Sequence, residues 1–187
     1  MKLTHLFFLL AILSFTACGD DDSGSGDPYI LSYENGPDNA PALGAGTHVL
    51  LARFPSDYLQ NNLGKKLNEL ELYVDVGAVS YNALVLGSNS ATAPGAELAR
   101  IDFTNRVNDR KWYIIDLDNP IEITGEDIWI GVEVVHNGSA QTVGCDAGPR
   151  NPNGDWIWSS NSNVWETFNA RSGGEQVNWN IIGNLID

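Results

Sequence analysis

The chain of 187 residues carries 24 acidic against 10 basic side chains, a formal charge of −14. Such a surface repels nucleic acid and anionic lipid head groups, so neither is an expected partner through charge. Cys18 and Cys145 are the only thiols, too few for a disulfide scaffold, and stability has to come from burial.

In chain order the first element is a leader. A single cation, Lys2, precedes an apolar stretch over 6–15 and a small-residue exit at Thr16-Ala17, the organisation of a secretory signal. The stretch is shorter than the ~20 apolar residues that a membrane-spanning helix needs. Cys18 follows at once and opens the run Gly19-Asp20-Asp21-Asp22, then a small, polar segment to Pro28. We therefore divide the chain into a lipoprotein signal peptide at 1–17, a lipidated Cys18 with an acidic flexible tether at 18–28, and a single domain at 29–187. This order of leader, cysteine and aspartates resembles lipoproteins of Bacteroidetes, in which such acidic residues accompany display on the outer face of the outer membrane. The resemblance implies a chain anchored by lipid in the outer membrane and facing the cell exterior.

From residue 29 the pattern is β. Short apolar and aromatic runs alternate with polar residues, and Gly, Asn, Asp and Pro punctuate them about every ten residues. The spacing predicts strands at 30–33, 48–54, 67–76, 83–86, 96–103, 112–117, 128–135, 142–145, 156–159, 164–168 and 178–185. In the run Leu70-Glu71-Leu72-Tyr73-Val74-Asp75-Val76, the even positions are apolar while Glu71 and Asp75 fall on the other face, as in a sheet with one buried side. One short helix is predicted after Pro55, with Ser56 or Asp57 as its cap and Gly64-Lys65-Lys66 as its end; it would lay Tyr58, Leu59 and Leu63 on the core edge. Hairpin turns are predicted at 161–163 and at Asn137-Gly138. The expected fold is all-β, an antiparallel sandwich.

Several phrases in order carry a second resemblance. They are Tyr33-Glu34-Asn35-Gly36, Leu63-Gly64-Lys65-Lys66-Leu67, Ile128-Trp129-Ile130-Gly131-Val132-Glu133-Val134, Gly144-Cys145-Asp146-Ala147-Gly148-Pro149, Gly154-Asp155-Trp156-Ile157 and Asn178-Trp179-Asn180-Ile181. The set resembles the jelly-roll-like, galactose-binding-like β-sandwich modules of large secreted and surface proteins of Bacteroidetes, found beside peptidase and adhesin domains. The resemblance implies a non-catalytic, adhesin-like or carbohydrate-binding-like module, and no catalytic residues.

The chemistry-bearing candidates are few. Trp156 and Trp158 share a strand face by period two, and with Trp165 they form either a stacking platform for a ligand or part of the core. Asp146, Asn151, Asn153 and Asp155 place hard oxygens around Gly154, a candidate site for a structural calcium ion; a turn held by Asn and Asp side chains explains the same residues. The segment Asp116-Leu117-Asp118-Asn119 reads as a solvated strand exit before Pro120. Cys145 reads as a small buried hydrophobe, with a nucleophile partnered by His136 or Asp146 as its alternative. No metalloprotease, nucleophile-elbow, phosphate-loop or zinc motif occurs, so the expected function is binding rather than catalysis. The expected ligand is an extracellular glycan or protein, held by loops at 145–155 and 161–163 at one end of the sandwich. The alternatives are a structural or assembly subunit of an envelope complex and, third, a polysaccharide hydrolase.

Overall fold

The computed structural model describes residues 29–187; the predicted signal peptide, Cys18 and the tether lie outside the described residues. Ten strands follow in order: β1 (Ile30–Ser32), β2 (Gly46–Phe54), β3 (Lys66–Val74), β4 (Ser80–Leu86), β5 (Glu97–Asp102), β6 (Lys111–Glu122), β7 (Ile128–His136), β8 (Trp156–Ser159), β9 (Trp165–Thr167) and β10 (Ile181–Ile186). They form two antiparallel sheets, ordered β1-β10-β3-β6 and β5-β4-β7-β2-β8-β9. Setting β8 and β9 aside, the pairs are first with last, second with seventh, third with sixth and fourth with fifth. A long hairpin rolled up on itself gives that nesting, which is the jelly-roll arrangement of two Greek keys.

Alternation drives the packing as expected. Leu70, Leu72 and Val74 of β3 are fully buried, as are Leu50 and Phe54 of β2 and Ile130, Val132 and Val134 of β7. They join one core cluster between the sheets. Each such side chain contributes about 1.5–3 kcal/mol relative to exposure. The centre of the larger sheet is tight, since a Cβ at Gly131 would overlap the Leu50 backbone carbonyl.

The structure departs from the expected elements at four places. The segment 142–145 is not a strand: Val143 bridges Val74, while Cys145 bridges both Asn39 and Trp179, so its backbone is shared among neighbours rather than laddered on one. The helix expected after Pro55 is a 3-10 turn at Tyr58–Asn62, with the Asp57 carboxylate accepting from the Tyr58 N–H at 3.0 Å. Leu59 is buried there, but Leu63 is half exposed. The short α-helix lies elsewhere, as α1 (Phe168–Ser172), where a strand end was expected. The Thr167 hydroxyl caps the Ala170 N–H, and Gly173 ends the helix in the left-handed region at φ 80°, which glycine adopts without Cβ strain. Finally, β6 runs through 116–119 and Pro120 to Glu122, where a strand exit was expected. β6 is the last strand of its sheet, and an edge strand tolerates a residue with no N–H.

Candidate functional site

The three candidate tryptophans sit on the outer face of the six-stranded sheet, away from the core between the sheets. Period two sends Ile157 of β8 into that core and turns Trp156 and Trp158 outward. The same face receives Val49 and Leu51 of β2, Leu84 and Leu86 of β4, and Trp129 of β7, which form a second apolar cluster with Trp156. Trp158 and Trp165 pack against its border and are directly paired across β8 and β9. Trp129 is fully buried and Trp156 is 8% exposed, while Trp158 and Trp165 keep part of their surface in solvent.

Trp129 is the centre of this face, and Arg53 is its clamp. Neither stood out in the sequence. The Trp129 ring lies 5.4 Å from Trp156 at 67° and 6.2 Å from Trp165 at 54°. Strand β2 lies between β7 and β8, which puts those two strands about 9.5 Å apart, so the indoles lean over β2 towards each other. The Arg53 guanidinium lies 5.8 Å from the Trp129 ring centroid, a cation–π contact. It also donates twice to Asp127 Oδ2, at 2.8 and 2.6 Å, and once to Asn153 Oδ1 at 3.1 Å. One signal was available: the run from Ile128 to Val132 carries no polar side chain on either face, the mark of a strand covered on both sides.

A polar row continues from the aromatic pair. Cross-strand register places Trp165, Trp158, Val49, Glu133, Asn82 and Asp102 in line over six strands. Glu133 accepts from Arg100 at 2.5 Å and from Asn82 Nδ2 at 3.2 Å. The face thus passes from aromatic rings to fixed hydrogen-bonding groups within one row.

The four calcium candidates are brought near the start of β8, and all but one of their side-chain oxygens accept from N–H donors. Asp146 is 1% exposed and accepts from the backbone N–H groups of Asn35, Gly148 and Asn178 and from Asn178 Nδ2, at 2.7 to 3.1 Å. Asn151 Oδ1 accepts from the Asn153 N–H, and Asn153 Oδ1 from Arg53. Asp155 Oδ2 accepts from Arg150 and from the Asn169 N–H, both at 2.8 Å, while its Oδ1 is buried with no partner among the described residues. Calcium takes about six to eight oxygens in one cage, and as folded Asp155 Oδ1 is the buried side-chain oxygen among these four residues that no N–H donor takes. Among the described residues no three His, Cys, Asp or Glu side chains are grouped to hold a metal ion. The arrangement is the side-chain-stabilised loop that the same residues also suggest.

The two loops expected at one end lie at opposite ends of β8. The 145–155 loop precedes β8, and the Arg53 N–H at the end of β2 donates to Asn153 O. The turn after β8 meets the start of β2, where Asn161 Nδ2 donates to Ala45 O and the Ser160 N–H to Thr47 O. An antiparallel partner forces this separation, so the outward face between the loops is the surface that unites the tryptophans.

Cys145 is buried, and burial, then the neighbouring Asp146 carboxylate, pushes its thiol up to about 12. It is a thiol in the folded chain. His136 Nε2 and the Thr142 hydroxyl share a hydrogen bond of 2.7 Å, and the ring faces His48, with centroids 5.3 Å apart.

Together the fold and this face define a jelly-roll β-sandwich with an aromatic outer surface. In comparison with known proteins the chain gives no significant match to any family model, curated protein or solved structure.

Proposed function

We propose that the chain is a surface lipoprotein of the kind found in Bacteroidetes, lipidated at Cys18, whose β-sandwich binds an extracellular glycan without catalysis. The observation that carries the reading is the partly exposed pair Trp158 and Trp165, set across β8 and β9 in the row that continues to Glu133 and Asn82. Sugar rings present an apolar C–H face and a polar hydroxyl edge. Indole faces suit the first, and fixed carboxylate and amide groups suit the second. Trp156 and Trp129 lie beneath as support, and Trp158 and Trp165 make the contact.

The test is a glycan array probed with wild type, Trp158→Ala and Trp165→Ala. Specific binding that both variants lose supports the reading, and no binding on a broad array overturns it. Anchoring is tested separately by growth with a palmitate analogue: label lost in Cys18→Ser supports lipidation there, and label retained overturns it.

A further inference from the structure

A second recognition element lies on the side of the sandwich where both sheets end. β5 terminates the six-stranded sheet and β6 the four-stranded one, and the two run beside each other. Two hollows open along this edge, of about 270 and 210 Å³, and they share Leu98 of β5. Leu98 is 50% exposed. Its neighbours Ile121, Ile123 and Ile128 line the larger hollow, while Asp118 enters the smaller.

The backbone of β5 is available on its outer side. The Phe103 N–H donates to Tyr81 O, and Ile101 and Ala99 follow at two-residue steps opposite Ala83 and Val85. Antiparallel pairing alternates with period two, so between Ala99 and Phe103 the odd-numbered residues turn their amides to β4. Those of Arg100 and Asp102 turn away from it, while the register shift between Val85 and Leu86 makes Leu98 a bulge outside the alternation. An exposed row of this kind is a template for another strand.

Charge selects the occupant. Glu122 and Glu126 line the larger hollow, and among the described residues neither they nor Asp118 has an ion pair. The nearest cation by register is Lys66, opposite Glu122. Arg100 is already held by Glu97 and Glu133. A second copy is disfavoured: two β5 strands paired antiparallel about their midpoint would set Glu97 against Asp102, and each chain carries −14. The edge is guarded against its own kind, but the same acids attract a basic strand.

We propose that the β5 edge and its groove take an extended segment of a partner protein, with alternating apolar and basic residues, as an added strand. The added backbone pairs with the outward amides of β5, apolar side chains enter the hollows beside Leu98, and lysine or arginine side chains meet Asp118, Glu122 and Glu126. This site does not use the indoles, and it adjoins the polar row of the tryptophan face through Arg100 and Asp102.

The test is fluorescence anisotropy of a labelled, capped peptide of alternating valine and lysine, titrated with the full chain. Arg100→Pro removes one outward amide and leaves the ladder to β4, while Arg100→Ala removes the side chain alone. Saturable binding is expected, weakened about tenfold or more by Arg100→Pro and by N-methylation of alternate peptide amides, and little changed by Arg100→Ala or Trp158→Ala. The double charge reversal Glu122→Lys/Glu126→Lys keeps the β5 backbone and weakens binding also, which covers the case in which Arg100→Pro does not fold. Absence of binding, binding indifferent to N-methylation and to the double reversal, or a chain that self-associates through this edge in sedimentation each overturns the proposal.

Discussion

Replacing Asp146 by alanine is the sharpest test of how the 145–155 loop is held. The carboxylate accepts four N–H bonds, two from Asn178, which is itself buried, and one each from the partly buried backbones of Asn35 and Gly148. In Asp146→Ala the last two donors rehydrate, while the Asn178 N–H and Nδ2 lose a partner in a site that is closed to water. At about 1–3 kcal/mol for each unsatisfied buried group, the loss is roughly 2–6 kcal/mol. For a domain of this size 1 kcal/mol moves the melting temperature by about 2–4 °C, so the expected fall is roughly 5–20 °C. Asn178 Nδ2 also donates to Pro149 O at 2.9 Å, which keeps the fall towards the lower half of that range. Thermal unfolding followed by circular dichroism, with and without a calcium chelator, reads both parts of the reasoning. Wild type is expected to melt at the same temperature in either condition, because its oxygens serve N–H donors. A variant melting within 2 °C of wild type, or a wild type that chelator destabilises, refutes the account of Asp146 as a hub for protein N–H groups.

The remaining predictions address other parts of the molecule. Trp156→Ala is expected to cost about 3–5 kcal/mol in denaturant unfolding, and Trp158→Ala clearly less, because only the first indole is nearly fully buried; equal costs would place both rings in the same environment. His136 is held below the usual histidine range by burial first and by His48 second, so the unfolded chain takes up the proton more readily. Its contribution to stability is complete above the unfolded value near 6.5 and falls as pH drops through that value towards the folded one; urea midpoints at pH 7.5 and 5.5 check this, and His136→Gln should flatten the difference. Cys145, with its thiol raised to about 12, should resist iodoacetamide at pH 8 in the folded chain and react within minutes in denaturant; rapid labelling of folded protein would show that the site is open. Gly131→Ala, with its Cβ set against the Leu50 carbonyl, should destabilise by more than the ~1 kcal/mol of a typical substitution.

Much of the architecture was legible because it depends on local pattern. Alternation from Leu70 to Val74 in β3 and dense apolar runs in β2 and β7 report a buried face wherever they occur. The nested pairing was not legible, since β1 meets β10 across some 150 residues and nothing in either short strand names the other. The segment 142–145 has strand composition, yet Asn39, Val74 and Trp179 each take one bridge from it; composition reports extended backbone but not how many partners share it. Period two put Trp156 and Trp158 on one side correctly, and could not say which side. Ile157 takes the core side of β8 and leaves the outer face to the two indoles. Asp146 and Asp155 suit either calcium or a crowded turn because both use the same oxygens, and sequence spacing does not reveal the N–H donors that Asn178, Arg150 and Asn169 bring to them.

The hairpin β8-β9 explains why the site stands where it does. The four nested pairs of the roll are complete without it, for it enters between the seventh and last strands of the roll and extends the larger sheet beyond β2. It brings three tryptophans to a face that Val49, Leu51 and Leu84 leave apolar. An open apolar face on a central sheet is an aggregation liability, and the hairpin together with Trp129 and Arg53 covers it. Trp129 and Trp156 are the buried part of that cover, and Trp165 reaches Trp129 at 6.2 Å. Trp158 and Trp165, paired across β8 and β9, pack on its border and still meet water. The hairpin is therefore a cover for the sheet through both of its strands, and the water-facing part of Trp158 and Trp165 is the surface that the proposed recognition would use.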